Sequence, residues 1–133
     1  MPNKNKPKKV ADLQYRRTDD FVKSYANNAY YESSAWDLTI VFGQLDQLVG
    51  SPAIIRQNIA ITIPWAQAKL MAYFLRLHAE ANDIQNGKVP IRSDLLPPVP
   101  PPISEEDAKN PAAKKLYDLA VKLREEFIAS LKE

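Results

Sequence analysis

The chain has 133 residues, one domain's worth, and its 45% hydrophobic content is ordinary for a protein with a packed core. Its 18 Lys and Arg nearly balance 16 Asp and Glu, so a preference for nucleic acid or anionic membrane would have to come from local clustering, which occurs only at the N-terminus. The absence of cysteine excludes a disulfide framework, a thiolate zinc site and a cysteine nucleophile, and it fits a reducing cytoplasm.

Residues 1–18 form the expected basic arm. Lys4, Lys6, Lys8, Lys9, Arg16 and Arg17 occur there with little to bury. No apolar h-region follows Met1, and no later apolar run approaches the ~20 residues of a membrane helix, so a soluble chain without a cleavable signal is expected.

A first strand is expected over Phe21–Tyr31, with Phe21, Tyr25, Ala29 and Tyr31 on one parity and turn chemistry at Ser33-Ser34. In the next segment, Trp36, Leu38, Ile40 and Phe42 alternate with Ala35, Asp37, Thr39 and Val41, the period of a strand with one buried face. Gly43 is expected to end that strand, and a loop through Gly50-Ser51-Pro52 leads to a third. There Ile55, Ile59, Ile61 and Ile63 face opposite to Arg56, Asn58, Ala60 and Thr62.

A helix is predicted from about Trp65 to Asn86, closed by Gly87, because glycine escapes the left-handed backbone penalty at a helix C-terminus. At 100° per residue, Leu70, Met71, Phe74, Leu75, Leu77 and Ala81 make an apolar face wider than one sheet layer needs. Residues 89–103 then read as a linker. Pro97, Pro98, Pro100, Pro101 and Pro102 cannot join a sheet or continue a helix, and polyproline geometry would hold the next element ~19 Å away. Residues 104–133 form the expected C-terminal amphipathic helix. Ser104-Glu105-Glu106-Asp107 resembles a capping box, and Asn110-Pro111 a second N-cap with proline at the first helical position. Its stripe is Leu116, Leu119, Ala120, Leu123, Phe127 and Leu131.

Three short patterns, Tyr25-Ala26-Asn27-Asn28, Asp37 through Phe42-Gly43, and Ala68-Lys69, resemble those of a family of small prokaryotic proteins classed as a domain of unknown function. The resemblance covers about residues 21–87. It departs where Pro64 stands in place of the family's capping hydroxyl, a cap typically worth ~1 kcal/mol. It implies a prokaryotic origin and a self-associating β-β-β-α unit, and it brings no catalytic residues.

Chemistry-bearing residues are sparse. His78, the single histidine, has no second ligand at metal-binding spacing and reads as a packed or interface residue. Glu32 and Asp37 bracket the first hairpin and could pose as an acid-base pair, but their flanks favour solvated turn positions. Gly43, Gly50 and Gly87 are too scattered to cradle a phosphate. Asn27-Asn28 suggests a bulge that re-aims the first strand, with a ligand-binding pair as the other reading. Trp36 reads as core. Trp65 divides evenly between core and stacking platform, and Tyr15 could stack on a base.

The expected fold is α+β: a three-stranded antiparallel meander packed by one long helix over residues 19–88, followed by the linker and terminal helix. A core that short buries only ~60% of its unfolded surface, so a partner surface is expected to help. The expected function is non-enzymatic assembly, as a homo-oligomer or a small subunit of a larger complex. The partner-binding residues would be Leu70, Phe74, Leu77, Leu116, Leu119, Leu123, Phe127 and Leu131. No catalytic, cofactor or metal residues are assigned. The alternative is a nucleic-acid accessory protein whose arm residues Lys4, Lys6, Lys8, Lys9, Arg16 and Arg17 neutralise phosphates.

Overall fold

A computed structural model describes residues 13–46 and 52–132. Arm residues Lys4, Lys6, Lys8 and Lys9, and Gly50-Ser51 of the expected loop, lie outside the described residues. Strands β1 (Asn28–Ser33), β2 (Asp37–Asp46) and β3 (Ile54–Pro64) form one antiparallel sheet in the order β1-β2-β3. Helix α1 (Trp65–Asn86) follows, then a single 3₁₀ turn over Ser93–Leu95, the short helix α2 (Glu105–Ala108) and helix α3 (Pro111–Ser130). The fold is α+β. The chain divides into two compact units between Ala68 and Lys69, so the sheet with the first turn of α1 belongs to one and the remaining helices to the other.

Within the first unit, Leu38, Ile40 and Phe42 pair with Ile63, Ile61 and Ile59, and on the other side with Ser33, Tyr31 and Ala29. Because side chains alternate along a strand, these rows share one face of the sheet. Ile40 lies at its centre and is 7% exposed, the one buried large hydrophobic among the described residues. On the opposite face Thr39 and Thr62 oppose one another, their hydroxyls 2.8 Å apart.

The strands depart from the sequence expectation at several points. The first strand begins at Asn28, not Phe21, since the residues before it have no ladder partner until Asn27 reaches Gly43. Gly43 does not end β2, which runs on to Asp46. Trp36 is not core: it lies in the turn before β2 and is 85% exposed.

Gly43 marks a bulge instead. The pairing steps from Phe42 with Ile59 to Gly43 with Gln57, which leaves Asn58 as an extra residue on β3. The two backbones close together there, and a Cβ built on Gly43 would sit 2.6 Å from the carbonyl oxygen of Arg56. Past the bulge the faces of β3 exchange. Ile55 pairs with Leu45, off the face of Ile59, Ile61 and Ile63, while Arg56 lies opposite Gln44 and reaches Asp46 at 3.2 Å.

Helix boundaries follow the local chemistry. Gly87 takes φ +86° and donates its N–H to Asp83, closing α1. Ser104 caps α2 by accepting from the Asp107 N–H, and Asn110 caps α3 by accepting from Ala112 and Ala113 with Pro111 at the first position. The C-terminal segment is therefore two helices rather than the single one expected.

Candidate functional site

The polar residues gathered at the bulge are the first candidate. The Leu45 amide donates to Asn27 Oδ1 at 2.7 Å, while the Asn27 amide donates to the Gly43 carbonyl at 3.1 Å. Gln44 Nε2 donates to the Tyr25 carbonyl, and Asn58 Nδ2, on the extra residue, donates to Ser24 Oγ, each at 3.2 Å. Each of these bonds joins the segment before β1 to the bulged strands. Asn27 thus bonds to the same Gly43 that Asn28 pairs with where β1 starts, and a register shift lies between β2 and β3 at that point. Neither Asn27 nor Asn28 has a positive φ. The cluster holds neutral amides and a hydroxyl, a set suited to bracing backbone.

The hairpin turn is braced in the same way. Ser34 Oγ accepts from the amides of Trp36 and Asp37 and donates to Asp37 Oδ1 at 2.9 Å. Asp37 is thus engaged in the turn, and Glu32 faces Thr39 across the ladder. Trp65 completes the arrangement: its indole N–H donates to the Ser34 carbonyl at 3.0 Å, fastening the first residue of α1 to the turn. This tie was missed by sequence reading. Its signal was present, because a tryptophan on the polar side of a helix's first turn still has an N–H to satisfy.

His78 is exposed and not packed. Among the described residues no group of three or more His, Asp or Glu could hold a metal ion, and no helix is long and apolar enough to cross a membrane.

The apolar surfaces form the second candidate. On α1, Leu70, Phe74, Leu77, Ala81 and Ile84 recur at alternating intervals of four and three, the spacing of a helix-packing seam, and all but Ala81 are exposed. On α3, Leu116, Leu119, Leu123 and Phe127 are exposed and Leu131 is half-buried. A second stripe, Ala113, Tyr117, Val121, Arg124 and Ile128, is half-buried, as are Leu96, Pro100 and Ile103 of the preceding segment. Arg124 Nε donates to the Pro97 carbonyl at 2.9 Å, and Lys88 Nζ to the Ser130 carbonyl at 2.8 Å. The proline segment therefore does not hold α3 at a distance; α3 bonds back to Pro97, where the run starts, and to Lys88 ahead of it. Beside those bonds runs an open groove of about 870 Å³, with Leu75, Ile84, Val89, Ile91, Phe127 and Leu131 among its lining residues.

At the basic end, Arg17 stacks on Phe21 with its guanidinium carbon 4.5 Å from the ring centroid, and Arg16 bonds to Gln14. The Thr18 hydroxyl donates to the Asp20 carboxylate, which holds that exposed carboxyl below its ordinary pKa with help from its own backbone N–H.

Comparison of the chain with protein-family models, with curated proteins and with solved structures finds no match.

Proposed function

We propose that this chain is a non-enzymatic assembly protein that works by self-association. The observation that supports this most directly is the fate of its patterned apolar residues. The sheet face centred on Ile40, the α1 seam and the outer stripe of α3 are each arranged to pack, yet Ile61, Leu70, Phe74, Leu77, Leu116 and Leu123 are all exposed. Monomeric soluble proteins rarely leave contiguous apolar patches of that kind uncovered, because every Å² returned to burial contributes ~25 cal/mol. The polar clusters support the same reading from the other side, since their hydrogen bonds brace strands and turns.

Light scattering after size exclusion tests the proposal. At micromolar concentration the expected mass is a multiple of the 15.0 kDa chain. A monomer at every accessible concentration overturns self-association.

A further inference from the structure

We propose, resting on the self-association just described, that a second copy of this chain adds to the free edge of β3 about a two-fold axis through Ile61, joining the two sheets into one. The sheet order leaves β3 with a neighbour on one side only. Which of its backbone groups face outward follows from the ladder. The Ser34 amide bonds to the Asp37 carbonyl, so Asp37, Thr39 and Val41 of β2 direct their hydrogen bonds toward β1. Leu38, Ile40 and Phe42 then bond to Ile63, Ile61 and Ile59, and the N–H and C=O groups of Ala60 and Thr62 point away from the sheet. Both residues are exposed.

The segment Ile59-Ala60-Ile61-Thr62-Ile63 reads as isoleucine, small residue, isoleucine, small residue, isoleucine in either direction. An antiparallel pair centred on Ile61 places Ala60 opposite Thr62 of the second copy and Thr62 opposite its Ala60, so the outward groups of these residues exchange hydrogen bonds. Ile59 then lies beside Ile63 of the second copy, and the apolar face carrying the half-exposed Ile61 continues across the junction without a polar break. Shifting the register by one residue would put isoleucine against the wrong face. The two ends of the segment limit the pairing: the bulge at Asn58 interrupts the edge on one side, and Pro64, which has no N–H, ends it on the other. An isologous contact of this kind closes on itself and yields a dimer rather than a fibre.

The absence of native cysteine makes the test direct. At a two-fold axis through Ile61, the two Ile61→Cys side chains form a non-hydrogen-bonded pair, whose Cα atoms lie ~4.5 Å apart and within disulfide reach. Mild oxidation of the full chain carrying Ile61→Cys should give a covalent dimer on a denaturing gel, whereas Gln85→Cys, exposed on α1 and outside its apolar seam, should stay uncrosslinked. Ala60→Pro should raise the dissociation constant at least about tenfold with the circular dichroism unchanged, because the N–H it removes serves no bond within the monomer. If the wild type self-associates and the Ile61→Cys variant does not cross-link, the edge pairing is overturned and the assembly reading stands. A monomeric wild type overturns both.

Discussion

Asn27 stands in for a strand. Its side-chain oxygen accepts the Leu45 amide at 2.7 Å just where β1 has yet to begin, so one side chain supplies a backbone acceptor beside the bulge. Asn27→Ala should therefore cost about 1 kcal/mol, the usual net value of such a bond, with more if the Leu45 amide finds no water. Asn28→Ala, whose neighbour on the ladder is Gly43, should cost less. Urea melts of both variants at one protein concentration compare them.

Gly43 and Gly87 separate two reasons for glycine. At Gly87 the obstacle to alanine is a φ of +86° with open space around the Cβ, and the cost should be ~1–2 kcal/mol. At Gly43 the obstacle is the β3 backbone at 2.6 Å, which cannot swing aside as a flexible side chain would. Gly43→Ala should be the more damaging, by ~1–3 kcal/mol from overpacking, and should shift the amide resonances of Arg56 and Gln57.

Trp65→Phe keeps most of the ring and deletes the N–H that reaches Ser34. A loss of ~1 kcal/mol is expected, together with faster amide exchange in the turn from Ser34 to Asp37. Trp36→Phe, on an exposed ring within that turn, should be near neutral, and equal effects would refute the tie.

The two stripes of α3 give opposite expectations for one kind of substitution. Val121→Asp puts a charge on the stripe that lies beside the bonds to Pro97 and Lys88, so it should lower stability. Leu123→Asp falls on the exposed stripe and should leave the melt of the monomer almost unchanged while weakening self-association. Circular dichroism melts and light scattering on the two variants distinguish these outcomes.

Asp20 offers a pH test with a definite sign. Its carboxyl is held low first by the Thr18 hydroxyl, so the native state binds its proton less readily than the unfolded chain does. The associated stability is present above the unfolded pKa and is lost as pH falls through the native value. In a titration followed by NMR, Thr18→Val should move the Asp20 midpoint up toward that of an ordinary aspartate.

The chain itself determined the local structure wherever a short-range pattern had one physical reading. The alternation from Leu38 to Phe42 placed a strand, the run from Trp65 to Asn86 before Gly87 bounded α1, and Ser104, Asn110 and Pro111 marked two helix starts, because periodicity and capping act within a few residues. Tertiary structure alone decided what depends on residues far apart in the chain. The extra residue Asn58 reversed the faces of β3 beyond Gln57 and moved Ile55 off the isoleucine row, a register effect set by pairing with β2. Gly43 became a point of close backbone approach rather than a strand end, and Asn27 became the acceptor for the Leu45 amide where the ladder begins. The proline run, extended on paper, became a segment to which α3 bonds through Arg124, since a stiff spacer fixes a length but not the direction in which the next helix returns.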